Sequence, residues 1–184
     1  MPVYLPPGGR EKLEHLAAAI AERPGFFDDA FEVREYDSNE WLAAGAIRFR
    51  PLRVGHYVPA WSMDIVGPDG ARIVYAGDMG PSDEVVEVAR GADLIVLEAT
   101  LESAAGDDLK RGHLTAEEAI DHAVRAGVPQ ALLVHYPSER RSEIAAICAA
   151  SGAPVAPAYV GQVVEVTRVD AGGAGGQRAA ARAS

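Results

Sequence analysis

Three of the five histidines stand at the ends of apolar runs or just ahead of a helix: His56 after Leu52 to Val54, His135 after Ala131 to Val134, and His113 before a helix cap. Asp78 joins them, because Ile73 to Ala76 reads as a buried strand whose exit, Gly77-Asp78-Met79-Gly80, sets a carboxylate among flexible residues that allow close approach to the backbone. Strand ends are where open sheets present their ligands. Imidazole and carboxylate are preferred donors for Zn²⁺ and neighbouring transition metals. Taken singly, a histidine after a strand is an ordinary loop residue and an aspartate before Met-Gly-Pro an ordinary turn former. The coincidence of all four at strand exits is what points to metal chemistry.

The elements that must position them can be read from periodicity. A short strand, Pro2 to Leu5, leads through Pro6-Pro7-Gly8-Gly9 into an amphipathic helix with apolar positions Leu13, Leu16, Ala17 and Ile20, ending before Pro24. Phe31 to Tyr36 and Ile47 to His56 alternate as strands. In the second, the apolar phase shifts across Pro51, which predicts a bulge or an edge position there. Trp61 to Val66 and Arg72 to Ala76 flank Pro68-Asp69-Gly70 and read as a hairpin.

Strand and helix then alternate. Ser82 caps a helix to Arg90, Asp93 to Leu97 is a buried strand, and Thr115 with Glu118 has capping-box spacing ahead of a helix ending at Gly127. Ala131 to Val134 is a strand, Ser138 to Ser151 a helix, and Pro154 to Tyr159 and Gln162 to Thr167 closing strands. The expected architecture is α/β (α+β), a mixed sheet with helices on one face. One domain spans 1–169, and a Gly/Ala/Arg tail at 170–184 has too little apolar bulk to fold. His15 and His122 fall inside helices and read as surface residues.

Composition narrows the function. The 184 residues suffice for one domain, and 48% hydrophobic with 24% charged residues is a globular balance. Nothing approaches the roughly 18 apolar residues of a membrane span or a signal peptide, so a cytoplasmic protein without membrane contact is expected. The single cysteine, Cys148, lies in an Ala/Ile-rich helical pattern and reads as a small buried hydrophobe. A net charge of −10 repels nucleic-acid backbones. A dinucleotide-binding reading of "AGDMG" fails because the glycine spacing is wrong.

The segments "RVGHYVPAWSM", "IVYAGDM", "LIVLEAT", "GHLTAEEA" and "LLVHYP" occur in the order and approximate spacing of the later motifs of the metallo-β-lactamase superfamily. Over Pro2 to Val166 the chain resembles the ribonuclease Z-like branch. The resemblance implies part of an αββα sandwich and a hydrolase of a phosphodiester or related ester. It implies His56, Asp78 and His135 as metal ligands, Asp78 bridging two ions. His113 would be a non-ligand that donates a hydrogen bond or proton to the scissile phosphate or leaving oxygen. Zn²⁺ is the implied cofactor, two ions in the complete family site, with Mn²⁺ the alternative because Asp78 is a hard ligand. Glu98 matches an acidic position that orients a neighbouring histidine. A strand-terminal Glu facing water is the other reading of that residue.

One departure matters most. The family's HxHxDH signature is absent from this sequence, so the chain corresponds to the C-terminal half, and three side chains cannot hold two metals. Alone, it is expected to be inactive. The alternative is a non-catalytic remnant or interaction module that keeps a residual His/Asp/His site. The face lined by Ile73, Tyr75, Leu94 and Val96 is expected to lack a cover, favouring self-association or an N-terminal partner fragment. The tight turn at Pro68 to Gly70 replaces the tRNA-binding arm of true ribonuclease Z, and the acidic charge also argues against tRNA.

Overall fold

The computed structural model describes residues 1–21, 23–105 and 111–168. A parallel pair, β1 (Pro2–Leu5) and β2 (Glu32–Glu35), is connected through α1 (Gly9–Ala21). The main sheet follows in strict chain order: β3 (Leu42–Ala44), β4 (Ile47–Val54), β5 (Ala60–Val66), β6 (Arg72–Tyr75), β7 (Leu94–Glu98), β8 (Ala131–Val134) and β9 (Val155–Pro157). Strands β3 to β6 are antiparallel neighbours and β6 to β9 parallel ones, so the sheet is mixed. Helices α2 (Asp83–Ala89), α3 (Ala116–Ala126) and α4 (Arg141–Ser151) provide the crossovers.

One face of the sheet carries the core. Leu52, Val54, Val74, Ala76, Ile95, Leu97, Ala131 and Leu133 pack against Val85 and Val86 of α2, Ala119 and Ala123 of α3, and Ile144 and Cys148 of α4. The expected one-sided helical layer is therefore present. Burial raises the Cys148 thiol above its ordinary value, in keeping with an inert core position.

The opposite face is less covered. Cross-strand register places Met63, Ile65, Ile73, Tyr75, Leu94 and Val96 on it together. Tyr75 is 45% exposed, Ile73 and Val96 are half-buried, and Leu94 alone of the expected bare residues is buried. At the β4 end this face is occupied, because the Tyr4 ring of β1 packs edge-on against Phe49.

That packing decides between the two readings of Pro51. Register runs unbroken from Arg48↔Val66 to Val54↔Ala60, so there is no bulge. The apolar phase shifts because Phe49 serves one face while Leu52 and Val54 serve the other. Pro51 sits where β3 has already ended, and its carbonyl accepts the Asn39 N–H at 2.7 Å, so the missing amide proton costs no ladder bond.

Other differences are local. The short β3 has no counterpart in the expected elements, and 162–168 form no closing strand. On α1, Ala17 is buried but Leu16 and Ile20 are 49% and 61% exposed, so the apolar stripe is only partly used. The tail at 170–184 lies outside the described residues. His15 is exposed as expected, but His122 is buried: its Nδ1–H donates to the Glu118 carbonyl at 2.7 Å and its Nε2 accepts the Ser82 N–H at 3.0 Å, joining α3 to the cap of α2. The Thr115/Glu118 capping box is present in full, and Gly127 closes α3 at φ 68°.

Candidate metal centre

Strands β4 and β6 are both antiparallel to β5 and so run the same way, and β7 and β8 continue parallel to β6. The C-terminal ends of β4, β6, β7 and β8 therefore emerge at one edge. His56 lies two residues beyond β4, Asp78 three beyond β6, Glu98 ends β7, and His135 follows β8 directly. The loop carrying His113 is drawn to the same edge by the Leu101 N–H, which donates to the Leu114 carbonyl at 2.9 Å.

Asp78, His113 and His135 each offer a ligand atom within 4.8 Å of the others, a spacing that a single cation can close. His135 Nδ1 lies 3.3 Å from Asp78 Oδ1. His56 stands beside this group, its ring edge-on to His113 with centroids 4.7 Å apart. All four sequence-predicted residues thus meet, but the tight trio contains His113 where the family resemblance implied His56.

The hydrogen bonds fix how each ring is presented. His56 Nδ1 is 2.6 Å from the Gly112 carbonyl, His113 Nδ1 is 2.7 Å from Glu98 Oε1, and His135 Nδ1 is 2.9 Å from Thr100 Oγ1. With each Nδ1 engaged by an oxygen, Nε2 is the ring nitrogen left free for a ligand on all three rings. Thr100 Oγ1 completes its own pattern by donating to the His135 carbonyl at 2.9 Å. His135 adopts φ 54°, a left-handed conformation that a non-glycine residue takes only when its surroundings hold it there.

Glu98 is 1% exposed and does not face water. Oε1 accepts the Met79 N–H at 2.9 Å as well as the His113 ring, and Oε2 accepts the Thr100 N–H at 3.2 Å. One buried carboxylate therefore ties the backbone beside Asp78, the His113 ring and the Thr100 loop together.

Two glycines complete the site and were not singled out for this role. A Cβ on Gly112 would meet His56 Nδ1 at 2.8 Å and the Tyr57 ring at 2.9 Å, and one on Gly80 would meet the Arg111 carbonyl oxygen at 2.1 Å. The small residues around Asp78 thus admit a neighbouring protein strand rather than a ligand. Gly80→Ala is expected to destabilise more than Gly112→Ala, since backbone yields less than the ends of side chains. Overpacking of this kind costs about 1–3 kcal/mol or more, measurable as a shift in the urea midpoint.

Residues 1–136 match the model of the beta-lactamase superfamily domain. The chain belongs to this superfamily. Its fold matches that of the metallo-β-lactamase fold protein YhfI from Bacillus subtilis, with a TM-score of 0.65 and 22% identity over 85% of this chain and 61% of that one. It is 33% identical over 156 residues to an uncharacterized protein of Mycobacterium leprae, covering 82% of this chain and 55% of the relative. It is 48% identical over 66 residues to a ribonuclease Z of Ignicoccus hospitalis, 35% of this chain and 22% of that enzyme. This beta-lactamase superfamily member therefore spans little more than half the length of its mycobacterial relative. No helix among the described residues is long and apolar enough to cross a membrane.

Proposed function

We propose that the cluster of Asp78, His135, His56 and His113 serves a divalent-metal hydrolase acting on a phosphodiester or related ester. The observation that carries the reading is the convergence of three imidazoles and one carboxylate at a single sheet edge, each ring's Nδ1 already engaged by an oxygen. That donor set suits Zn²⁺, with Mn²⁺ as the alternative. His56, Asp78 and His135 would hold the metal. When bound, divalent ions supply an activated water and neutralise charge on the attacked phosphorus.

His113 is assigned a different role because its ring is held by a buried carboxylate. Glu98 holds the ring through Nδ1 and leaves Nε2 free for the part of a proton donor to a leaving oxygen. The partial likeness to ribonuclease Z supports an ester of phosphorus as substrate. The acidic charge and the tight Pro68 to Gly70 turn argue against tRNA.

A second reading, a non-catalytic module with a residual metal site, is favoured by one observation. The trio that closes within 4.8 Å provides for a single cation, and the sequence contains no HxHxDH. Hydrolysis of bis(p-nitrophenyl) phosphate with Zn²⁺ or Mn²⁺ separates the two. Because this chain is expected to be inactive alone, turnover is expected only once a fragment carrying HxHxDH is added, and there it should fall about 10²–10⁴-fold in His113→Ala, with metal still bound. Metal binding with no turnover above that variant leaves the module. Loss of the metal in His113→Ala, with retention in His56→Ala, makes His113 a ligand instead.

The half-covered face supports self-association, with Tyr75 at its centre. Light scattering at rising concentration is expected to give a mass above one chain, and Tyr75→Lys to lower it. A constant monomer mass in both would count against this.

A further inference from the structure

Beside His135 a cavity of about 500 Å³ opens between the exit of β8 and the segment after β9. Its walls include Tyr136, Tyr159 and Val160, and Ser138 and Arg141 stand at the polar positions. None of these residues has a part in the reading given so far.

The walls are fixed without a ligand. The Tyr136 hydroxyl donates to the Ala158 carbonyl, and the Ala158 N–H donates to the Leu133 carbonyl at 2.8 Å, so the two loops are tied across the floor. Burial raises the Tyr136 phenol above its ordinary value, so it stays neutral. The turn carrying Tyr159 closes on itself: the Gln162 N–H donates to the Tyr159 carbonyl at 3.1 Å, and Gln162 Oε1 accepts the Tyr159 N–H at 3.2 Å. Gly161 at φ 84° permits that turn.

The Arg141 guanidinium lies 5.1 Å from the centroid of the Tyr159 ring. Arginine both stacks on aromatic faces and pairs with phosphate oxygens through its planar fork. An aromatic ring and a cation on one cavity therefore favour a ligand that is planar at one end and anionic at the other.

We infer that this cavity binds the ester group of the substrate and selects a planar aromatic or heteroaromatic ring joined to a phosphate. The inference rests on the hydrolase reading only for the position of the phosphorus, next to His135; the binding preference itself stands on Tyr159 and Arg141. A methyl or ethyl ester would leave most of 500 Å³ unfilled.

Phenyl phosphate and methyl phosphate, titrated calorimetrically into the full chain without added metal, test the inference. Phenyl phosphate is expected to bind about tenfold tighter, the scale of one base-aromatic stack. Tyr159→Leu, which keeps bulk but removes the ring, and Tyr159→Ala should both erase the preference, while Arg141→Ala should weaken the two probes alike. Equal binding of the probes, binding of neither, or a preference that survives both Tyr159 variants would overturn it. Repeating the titration in Asp78→Asn, with and without Zn²⁺, keeps the two readings apart, because the aromatic preference should persist there even though the proposed metal site is lost; its disappearance in a folded Asp78→Asn chain overturns the cavity assignment.

Discussion

Asp78→Asn is expected to remove stoichiometric Zn²⁺ binding while leaving the fold in place. The side chain is 40% exposed on the Gly77 to Gly80 loop, its near neighbour being His135 Nδ1 at 3.3 Å. Asparagine has the same shape and keeps one oxygen, so the substitution isolates the negative charge. Asp78 is the one carboxylate of the proposed ligand set, beside three imidazoles. Changing a residue that merely orients a ligand costs about 10–100-fold in affinity, so removing the charged ligand itself should cost at least about 100-fold. Competition with a fluorescent zinc chelator measures this, with circular dichroism reporting the fold. An Asn variant that retained wild-type affinity would remove Asp78 from the site, and with it the bridging role that the family resemblance implies.

The parts of this site that were legible in the sequence share a cause. Strand exits after apolar runs mark His56, Asp78 and His135: two antiparallel steps across β5 give β4 and β6 the same direction, and the helical crossovers after β6 carry that direction to β8. The capping box at Thr115 is equally local, four residues long, and was read without error. What the pattern left open, as between the two readings of Glu98, depends on contacts between distant segments. Glu98 accepts from Met79, Thr100 and His113, and no pattern in LIVLEAT distinguishes a buried acceptor from a solvated end of a strand. Gly80 and Gly112 matter because Arg111 and His56 pass beside them, which only the folded loops reveal.

His122 is a different case, since a signal was present. It shares a helical stripe with Ala119, Ala123 and Ala126, all buried, and that spacing placed it on the core side of α3. Strand β3 had no comparable mark: three residues ending in Ala-Ala carry little strand preference and gain their order from pairing with Ile47 to Phe49. The phase shift at Pro51 goes with the edge position, one of its two readings, and not with a bulge. A strand packed on both faces produces the same break in alternation as a bulge does.

Asp64→Ala is expected to give the largest loss of stability of any single change in the sheet. The Asp64 side chain is fully buried, on β5, and faces the helical layer. Arg72 grips it through two bonds, Nε to Oδ1 at 2.8 Å and Nη2 to Oδ2 at 2.9 Å, and Arg50 adds Nη2 to Oδ2 at 2.8 Å. Arg72 also donates to the Val88 carbonyl at 2.6 Å and the Arg90 carbonyl at 3.0 Å, at the C-terminal end of α2 where cations are favoured. One carboxylate thus compensates two guanidinium groups and anchors a helix end to the sheet.

Removing it strands positive charge in the layer between sheet and helices. Breaking a buried pair costs about 3–5 kcal/mol, and because each arginine keeps about a quarter of its side chain in solvent, the lower end, about 3 kcal/mol, is expected here. Against a total of about 5–15 kcal/mol for a domain of this size, that is a large fraction. The exposed Arg125 to Asp83 pair is the internal comparison, and Asp83→Ala should shift the urea midpoint far less, since solvent screens that pair. Urea denaturation of both variants decides the matter. If Asp64→Ala shifted the midpoint no more than Asp83→Ala, water would have to reach Arg50 and Arg72 freely, and the packing of α2 against β5 and β6 would be looser than the structure shows.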